Sequence, residues 1–404
     1  GNKYEVLIST LEENLQQDIR YRSNTNEIIE QNKDWIDATW EKIDKKLSRL
    51  AVKERERIPY TTVNGVHNDN AKEDITHWGN GFWGGMMWLM YEATGNEEYR
   101  KTAERSEELL DDALRQYKAL HHDVGFMWHL TSGANYRLTG NEASAVRNFF
   151  AATTLFSRYN IDGDFIRAWN GEAQAGYSII DCLMNIPLLY WATDEIGDDR
   201  FKKIAMRHME MAMRDHIRPD GSVNHIVNHE VDKVGVQNIL GGQGYDETSC
   251  WSRGLAWAVY GSVLSYIHAG KEEYLDAAKR TADYFIEGCK KTNYLPLVDF
   301  CAPEEPVYYD STAGVCAACG MLEIAKYVSE EEGKRYTQEA INILKACDEH
   351  FCNYEENEDA LVLMGTERYP LNGNMKGLHI PIIYGDFFFV EAMFKLRGND
   401  FLIW

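Results

Sequence analysis

The chain alternates between apolar and polar helical segments, and one kind of turn recurs between them. Each turn contains glycine and charged residues, and the segment after it places apolar or small residues at every third or fourth position. This spacing puts those side chains on one face of a helix. The five copies of the turn are Thr94-Gly-Asn-Glu-Glu-Tyr99, Thr139-Gly-Asn-Glu-Ala143, Gly197-Asp-Asp-Arg-Phe201, Gly270-Lys-Glu-Glu-Tyr274 and Glu332-Gly-Lys-Arg-Tyr336. The repeat predicts a fold built from two-helix units.

More apolar helices precede these turns and predict the arrangement of the units. They cover 83–94, 127–138, 178–194, 252–268 and 311–328, a sixth is predicted at 384–397, and a polar helix near 34–52 begins the series. Amphipathic helices bury their apolar faces when they surround a ring of more apolar helices. We therefore expect an all-α fold, an (α/α)6 barrel with six inner and six outer helices, as a single domain over 34–404 after an N-terminal extension over 1–33. A helical solenoid is the alternative, but the uneven spacing of the turns argues against a simple array.

Composition and charge exclude several classes of function. The 404 residues include 42 basic and 64 acidic side chains, a formal net charge of −22, so nucleic acid and anionic membranes would repel the chain. The chain contains no run of about 18 apolar residues, so the sequence predicts no membrane-spanning helix. The chain starts with Gly1 rather than methionine, which fits a trimmed signal peptide and leaves a cytoplasmic or a periplasmic location open. The pair Cys316 and Cys319 lies in an apolar helical segment and is expected to pack in the core.

Aromatic and polar residues concentrate where the predicted inner helices begin. The segments are His77-Trp-Gly-Asn-Gly-Phe82, His121-His-Asp-Val-Gly-Phe126, Arg167-Ala-Trp-Asn-Gly171, Ser178-Ile-Ile-Asp-Cys-Leu-Met-Asn185 and Trp251-Ser-Arg-Gly-Leu-Ala-Trp257. If the inner helices run parallel, these segments meet at one mouth of the barrel. Tryptophan faces with convergent polar groups suit a sugar, and helix N-termini favour an anion. The pattern predicts a carbohydrate-binding mouth.

Structural roles compete with functional ones for several of these residues. A tryptophan on an inner helix packs in the core more often than it binds a ligand. Asp181 stands three residues after Ser178, which is the spacing of a capping box, and Asp123 precedes Val-Gly as a turn residue would. His225 and His229 have the spacing of metal ligands on a helix face, but a nearby proline and glycine favour a solvated loop.

Four segments together resemble the unsaturated glucuronyl hydrolases of glycoside hydrolase family 88. They are His122-Asp-Val-Gly-Phe126, Trp169-Asn-Gly171, Asp181-Cys-Leu-Met-Asn-Ile-Pro-Leu-Leu-Tyr-Trp191 and Cys250-Trp-Ser-Arg-Gly-Leu-Ala-Trp257. The resemblance runs from about Ile75 to the C-terminus and implies an (α/α)6 barrel, in agreement with the helix count. It also implies a substrate made by a polysaccharide lyase, a disaccharide or short oligosaccharide with a Δ4,5-unsaturated uronic acid at its non-reducing end.

The resemblance implies a hydrolysis that begins at a double bond. In this family an aspartate protonates C4 of the vinyl ether, water adds at C5, and the resulting hemiketal rearranges and expels the remaining sugar. Asp181 matches that aspartate by motif position and would then activate the water, while Asp123 matches a second essential carboxylate. A proton donor to carbon must be neutral, so we expect its pKa to be raised by burial or by the other carboxylate. The family implies neither a metal nor an organic cofactor.

Further residues match the substrate pocket of this family. They are Trp78, His122, Trp169, His225, Gln243, Arg253 and Trp257. Arg253 is expected to bind the uronate carboxylate, because its planar fork matches a planar anion. Members that prefer sulfated disaccharides have two serines shortly before a lysine near the last inner helix, whereas Leu371-Asn-Gly-Asn-Met-Lys376 keeps only the lysine. Lys376 is therefore a candidate contact to the second sugar, and chondroitin, hyaluronan, heparin and gellan fragments all stay open as substrates.

Three other functions fit parts of the same pattern. The related unsaturated rhamnogalacturonyl hydrolases share the barrel and the chemistry but act on pectin fragments. Sugar 2-epimerases use the same barrel with catalytic histidine pairs and would not depend on Asp181. A protein that only binds oligosaccharide would bind without turnover. The motifs favour the glucuronyl hydrolase, working on a small saccharide as a monomer or weak homo-oligomer.

Overall fold

The computed structural model describes residues 3–404, with side chains described for 3–12 and 27–404. Its helices are α1 (Lys3–Gln31), α2 (Lys33–Lys53), α3 (Asn70–Glu73), α4 (Phe82–Thr94), α5 (Glu97–Leu114), α6 (Ser132–Thr139), α7 (Glu142–Phe156), α8 (Pro187–Ile196), α9 (Asp199–Met211), α10 (Ser252–Ala269), α11 (Glu272–Lys290), α12 (Ser311–Ile324), α13 (Glu330–His350) and α14 (Ile383–Leu396). Its strands are β1 (Thr62–Val63), β2 (Val66–His67), β3 (Tyr159–Asn160), β4 (Phe165–Ile166), β5 (Tyr177–Ile179), β6 (Ile226–His229) and β7 (Val236–Leu240). Helices dominate, and the short strands lie in the connections between them.

The helices form two concentric rings. The inner ring consists of α4, α6, α8, α10, α12 and α14, and the outer ring consists of α2, α5, α7, α9, α11 and α13. In the inner ring, α10 and α12 are buried on every side over 252–265 and 311–324. The outer helix α11 buries one face, which includes Tyr274, Ala278 and Phe285. The predicted (α/α)6 barrel is confirmed, because the more apolar helices are the ones with neighbours on all sides.

The recurring turn joins an inner helix to the next outer helix in a uniform way. A glycine with φ between 70° and 75° follows the inner helix in four copies, at Gly95, Gly140, Gly197 and Gly270. This left-handed backbone is accessible to glycine without steric cost and is a common helix C-cap. The side chains that then cap the outer helices are those of Asn96, Asn141 and Asp198. The repeat in the sequence is therefore a repeat of cap chemistry.

The predicted helix over 178–194 is wrong in its first half. Strand β5 ends at Ile179, a 3-10 turn covers Ile180–Met184, and α8 begins at Pro187, which needs no hydrogen bond for its nitrogen at a helix start. Ser178 is paired with Val227 in the sheet and caps no helix. The capping-box interpretation of Asp181 is therefore wrong.

The predicted helix over 127–138 is divided. Gly125–His129 forms a π-helical turn, and α6 begins only at Ser132. Gly125 approaches the backbone so closely that a Cβ there would lie 2.7 Å from the Cα of Asn185. The close approach places the segment around Asp123 directly against the turn that precedes α8.

A three-stranded antiparallel sheet in the order β5-β6-β7 lies at the same mouth of the barrel. Ile179 pairs with Ile226, which also pairs with Leu240, so β6 is the central strand. His225 immediately precedes β6, His229 is its last residue, and both are buried. The interpretation of these histidines as residues of a solvated loop is wrong, because the loop folds into a sheet that packs against the barrel.

Other expectations concern the ends and the core. Helix α1 falls within the predicted extension over 1–33, and the boundary between extension and barrel stays a prediction. Cys316 and Cys319 are buried in α12, as expected for core packing. Within residues 3–404, no helix has both the length and the apolar character needed to cross a bilayer.

Candidate active site

The starts of the inner helices enclose a cavity at one end of the barrel. Its lining residues are Trp78, His121, His122, Asp123, Trp169, Ile179, Asp181, Gln243, Trp251 and Arg253. Trp78 begins the 3-10 turn before α4, and Arg253 is the second residue of α10. The structure therefore brings seven of the ten predicted site residues together. The other three, His225, Trp257 and Lys376, lie behind, beneath or beside this cavity.

Asp181 lies in the 3-10 turn between β5 and α8, and only 13 % of its side chain is exposed. Its Oδ1 is buried and has no hydrogen-bond partner in the described part of the chain. Burial, followed by the negative charge of Asp123, raises the pKa of Asp181 to about 7, although His122 and Arg253 act in the opposite direction. At neutral pH a large share of this carboxyl group therefore carries a proton.

Asp123 is buried as well, but its contacts stabilise the charged form. Its Oδ1 accepts a hydrogen bond of 3.0 Å from Asn185 and lies 3.4 Å from Nε2 of His122, and its Oδ2 lies 3.6 Å from Nδ1 of His121. Burial alone would raise the pKa of Asp123, yet these partners lower it to about 2. The cavity thus contains one proton-bearing carboxyl group and one carboxylate.

Asn185 connects the two acidic segments. Its side chain donates to the Asp123 carboxylate, accepts the Phe126 N–H at 2.8 Å, and lies 3.4 Å from the carbonyl oxygen of Asp181. An amide can donate and accept at once, so this one side chain holds the π-helical turn against the turn that carries Asp181. Asn185 belongs to the motif that begins at Asp181, but this bridging contact could not be predicted from the sequence.

His225 lies behind Asp181 and has a defined proton position. Its Nδ1 accepts the Gln243 N–H at 3.0 Å, and burial lowers the pKa of His225 to about 3. The ring is therefore neutral and carries its proton on Nε2, which faces the Asp181 Oδ1 at 3.7 Å. Gly242 makes this possible, because a Cβ at that residue would lie 2.0 Å from Nδ1 of His225.

Arg253 is completely buried beside the cavity, between two aromatic rings. Its guanidinium carbon lies 4.7 Å from the ring centre of Trp251 and 4.9 Å from that of Tyr384. Nη1 donates to the Tyr384 hydroxyl at 2.6 Å, and Nη2 donates to the Glu367 carbonyl at 2.7 Å. Nε has no partner, and Nη2 keeps a second proton. One edge of the guanidinium group is therefore free to bind a planar anion.

Asp310 is the acidic protein partner of Arg253. Its Oδ2 lies 3.8 Å from Nη1, and both side chains are buried. The same carboxylate caps α12 through Thr312 and accepts the Thr366 N–H. The protein therefore compensates the Arg253 charge from one side and leaves the opposite edge for a ligand.

The tryptophans divide into cavity residues and core residues. Trp78 and Trp169 are half-buried and line the cavity, and Trp251 joins them. Trp257 is fully buried beneath Trp78, with 6.4 Å between the ring centres, and packs against Phe126. Trp257 shares a helix face with Arg253 but lies one turn further along α10, in the core and outside the lining of this cavity, so its contact with substrate stays a prediction.

Lys376 lies outside this cavity. It is exposed in the segment before α14 and lines a separate depression with Glu367, Arg368 and Asn374. The Glu367 carbonyl connects the two places, because it accepts hydrogen bonds from Arg253 and from the Gln243 side chain. Lys376 therefore stands beside the cavity rather than within it.

Sequence reasoning did not assign a role to three lining residues, His121, Ile179 and Trp251. His121 and Trp251 directly neighbour or nearly neighbour assigned residues, so proximity in sequence was an available signal. Ile179 is equally close to Asp181, but its place in a strand was not predicted. Each of the three stands two residues before an acidic or basic residue that was assigned to the site.

Among the side chains described for 3–12 and 27–404, two groups have donor atoms that a metal ion could use. They are His121, His122 and Asp123 at the cavity, and Glu54, His67 and Asp359 near the end of α2. In the first group the imidazoles already contact the carboxylate, at 3.6 Å and 3.4 Å. In the second, Lys53 lies 3.0 Å from Asp359 and supplies a positive charge.

The sequence has recognisable relatives. The model of Glycosyl Hydrolase Family 88 matches residues 50–267. The chain is 32 % identical to an unsaturated glucuronyl hydrolase from Bacillus sp. strain GL1 over 352 residues, which are 85 % of this chain and 91 % of the relative. It is 30 % identical to an unsaturated chondroitin disaccharide hydrolase from Streptococcus pneumoniae over 338 residues, 82 % of this chain and 84 % of the relative.

Solved structures share the fold. The unsaturated glucuronyl hydrolase of Bacillus sp. GL1, described as responsible for the degradation of glycosaminoglycan, superposes with a TM-score of 0.82 at 30 % identity over 90 % of this chain and 96 % of that one. A variant of the Streptococcus agalactiae enzyme complexed with dGlcA-GalNAc6S gives 0.75 at 26 % identity over 90 % and 92 %. From the family match, the relatives and the fold together, we conclude that this chain belongs to glycosyl hydrolase family 88.

Proposed function

We propose that this glycoside hydrolase removes the Δ4,5-unsaturated uronic acid from the non-reducing end of lyase-generated oligosaccharides, with Asp181 as the proton donor. The observation that carries the proposal is the pair of carboxyl groups in one cavity whose pKa values lie far apart, about 7 for Asp181 and about 2 for Asp123. Such a separation assigns acid and base roles to two chemically identical side chains. The acid keeps its proton near neutral pH, where a donor to carbon must be protonated.

The reaction begins when the Asp181 carboxyl group transfers its proton to C4 of the unsaturated ring. The C4=C5 double bond breaks, a C4–H bond forms, and positive charge develops at C5 and the ring oxygen. The resulting Asp181 carboxylate then accepts a proton from water as the water oxygen bonds to C5. The C5 hemiketal rearranges, the ring opens, and the glycosidic oxygen leaves with the rest of the sugar. Asp181 gives the proton in the first step and takes one back in the second, so it ends the hydration in its starting state.

Asp123 acts as the charged member of the pair. A carboxylate with a pKa of about 2 stays ionised throughout the working range, so its negative charge opposes ionisation of Asp181 and stabilises positive charge near C5. His122 and Asn185 hold its Oδ1, which fixes its orientation toward the sugar. His225 adds an N–H that faces Asp181 and becomes a partner for the carboxylate once the proton has left.

Arg253 binds the uronate carboxylate. Its free edge consists of Nε and one Nη2 proton, which form two parallel donors, the geometry that a carboxylate accepts with both oxygens. The stacking between Trp251 and Tyr384 fixes the plane of the fork before substrate arrives. Trp78 and Trp169 offer aromatic faces to the sugar rings, and Gln243 offers a polar group at the rim.

The second sugar is proposed to extend toward Lys376. This lysine and Arg368 line the neighbouring depression together with Glu367, whose carbonyl group accepts a hydrogen bond from Arg253. A substituent on that sugar, such as sulfate, would meet positive charge there. The names of the relatives support a glycosaminoglycan-type disaccharide as the substrate class. The catalytic unit is proposed to comprise residues 34–404 and to work as a monomer or weak homo-oligomer.

The test is turnover of a panel of lyase-generated disaccharides in D2O. Hydration of the double bond removes the ultraviolet absorbance of the conjugated uronate, and the proton delivered from Asp181 comes from solvent. We expect absorbance loss with disaccharides of chondroitin, hyaluronan or heparin, and deuterium at C4 of the product. Product without deuterium at C4 would refute double-bond hydration. Turnover of rhamnogalacturonan fragments alone would instead assign the chain to pectin degradation.

A further inference from the structure

Behind the cavity, the hydroxyl group of Ser178 joins two histidines. Its Oγ lies 2.9 Å from Nε2 of His216 and 2.7 Å from Nε2 of His229. All three side chains are fully buried, and none of them lines the cavity. The three groups therefore never meet the substrate, and any effect on the reaction has to pass through other residues.

The hydrogen bonds of this group run in one direction. Nδ1 of His216 lies 2.8 Å from the Asn224 carbonyl oxygen, which only accepts, so this nitrogen carries the proton. Burial lowers the pKa of His216 to about 4 and that of His229 likewise to about 4, so both rings are neutral. Nε2 of His216 then accepts the Ser178 O–H, and the Ser178 oxygen accepts the Nε2–H of His229. His229 thus donates to Ser178, Ser178 donates to His216, and His216 donates to the Asn224 carbonyl group.

Ser178 and His229 belong to β5 and β6, the two strands next to the proton donor Asp181. Ser178 lies in β5 opposite Val227 of β6, and His229 is the last residue of β6. Just beyond Ser178, the Ile180 N–H donates to the His225 carbonyl at 3.0 Å, and Asp181 follows. The pairing of β5 with β6 therefore sets the 3.7 Å separation between Asp181 Oδ1 and His225 Nε2.

The same group also reaches the barrel wall. His216 ends the π-helical turn Ala212–His216 that continues α9, an outer helix. Through Ser178, this turn is tied to β5 and β6 at the point where the sheet meets the barrel. Strands β5 and β6 are only three and four residues long and contribute little rigidity alone, because an isolated pair of short strands is marginally stable. The buried side-chain bonds supply the missing constraint.

We propose that Ser178 is a positioning residue for the hydrolysis, which with His216 and His229 holds β5 against β6 and so keeps the Asp181 carboxyl group aimed at C4 with His225 behind it. The inference rests on the proposed function, because it takes Asp181 as the proton donor. Misplacing a catalytic group by about 1 Å costs on the order of 10²-fold in rate. Substrate binding depends on Arg253 and the tryptophans, which this group does not touch.

The first test compares Ser178→Ala with Ser265→Ala. Ser265 is equally buried and accepts a hydrogen bond of 3.0 Å from Tyr190, but it lies twelve residues after Arg253 on α10, about 18 Å away along the helix. Both variants lose one buried hydroxyl group and should lose similar thermal stability. We expect kcat to fall roughly 10- to 100-fold in Ser178→Ala with KM within about threefold of wild type. Ser265→Ala should keep the wild-type kcat.

The second test uses two His229 variants, which can test the proposal even if Ser178→Ala does not fold. His229→Gln retains an N–H donor near the place of Nε2, whereas His229→Leu has a similar volume and no donor. We expect His229→Gln to keep kcat within about threefold and His229→Leu to lose roughly 10- to 100-fold. Equal kcat values in the two His229 variants, or equal kcat losses in Ser178→Ala and Ser265→Ala, would overturn the proposal. Asp181→Asn is measured alongside: if it loses activity while the Ser178 and His229 variants keep theirs, only the positioning role fails, and if it stays active, the proposed function itself fails.

Discussion

Nε2 of His225 faces Oδ1 of Asp181 at 3.7 Å, and neither atom has a hydrogen-bond partner among the residues that the structure describes. The neutral ring presents an N–H to a carboxyl group that must first give up a proton and then hold a negative charge. Before proton transfer the two atoms are too far apart for a hydrogen bond, and afterwards the N–H stabilises the carboxylate. This contact therefore favours the ionised carboxylate of Asp181, which forms when its proton has been transferred to C4.

Two substitutions of His225 separate its two nitrogens. His225→Gln keeps an N–H donor toward Asp181 but loses the acceptor of the Gln243 N–H, whereas His225→Asn keeps that acceptor and loses the donor. We expect kcat to fall more in His225→Asn, by roughly 10-fold relative to His225→Gln, because hydrogen bonds to charged groups contribute about 1.5–3 kcal/mol. Steady-state kinetics of both variants check this. A lower kcat in His225→Gln would mean that holding Gln243 matters more.

Asp181→Asn preserves the shape of the side chain but cannot donate a carboxylic proton. General acid catalysis contributes about 10²–10⁴-fold, and a group that serves as acid and then base should lie at the top of this range. The expected result is a kcat lower by about 10⁴-fold, measured by loss of ultraviolet absorbance. A kcat within about tenfold of wild type would remove Asp181 from the mechanism.

Thermal stability of the same variant gives an independent check with a defined sign. The pKa of Asp181 is about 7 in the folded chain and about 4 when unfolded, so ionisation destabilises the fold as pH rises between these values. Asp181→Asn removes this ionisation. Its melting temperature should therefore equal or exceed that of wild type at pH 8, and the difference should shrink near pH 4. The difference to compare is the melting temperature of Asp181→Asn minus that of wild type. If this difference were smaller at pH 8 than at pH 4, it would contradict the raised pKa of Asp181.

Asp123→Asn should move the ionisation of Asp181. The negative charge of Asp123 contributes to the raised pKa of Asp181, so its removal lowers that pKa and ionises the proton donor at a lower pH. In wild type, kcat/KM should fall as pH rises through about 7, and in Asp123→Asn the fall should begin at lower pH. Carboxyl titration by nuclear magnetic resonance measures the same shift if activity is too weak. Asp220→Asn, outside the cavity, should leave the profile unchanged.

Arg253→Ala should weaken substrate binding through loss of the fork. We expect kcat/KM to fall roughly 10- to 150-fold, since the lost bonds join charged groups. Arg253→Lys restores the charge without the two parallel donors and should recover only part of the loss. Wild-type kinetics in Arg253→Ala would show that the uronate is bound elsewhere. Its melting temperature should also fall, because the Thr366 and Glu367 carbonyls lose their donor.

Lys376→Ala tests the place of the second sugar. If Lys376 contacts a substituent there, the ratio of turnover on sulfated to unsulfated disaccharides should fall, while kcat on the unsulfated one stays close to wild type. Lys271→Ala, an exposed lysine at the start of α11, is the matched control and should change neither rate. An unchanged ratio in Lys376→Ala would make it an ordinary surface lysine.

The sequence determined the barrel and most of the lining of the cavity. Helical periodicity and the cap residues around Gly95, Gly140, Gly197 and Gly270 are local properties. They can therefore be recognised in the sequence, and they predicted both rings of helices. Because parallel inner helices all begin at one end, residues at their starts had to converge. This convergence predicted that Asp123, Asp181 and Arg253 meet, although only Arg253 lies in the first turn of an inner helix and the two aspartates lie in the segments that precede one.

Tertiary structure decided what the sequence left open or misassigned. The raised pKa of Asp181 depends on a carboxylate that lies 58 residues away in sequence and on burial by elements that no local pattern reveals. Ser178 had the spacing of a helix cap, yet its pairing with β6 overrides that local signal and turns it toward His216 and His229. Trp257 shares a helix face with Arg253. The packing of α10 against its neighbours decides that the Trp257 ring lies in the core and that the Arg253 guanidinium group lies at the cavity. Local patterns fix which elements form, whereas burial, proton position and contact between distant segments exist only once those elements have packed.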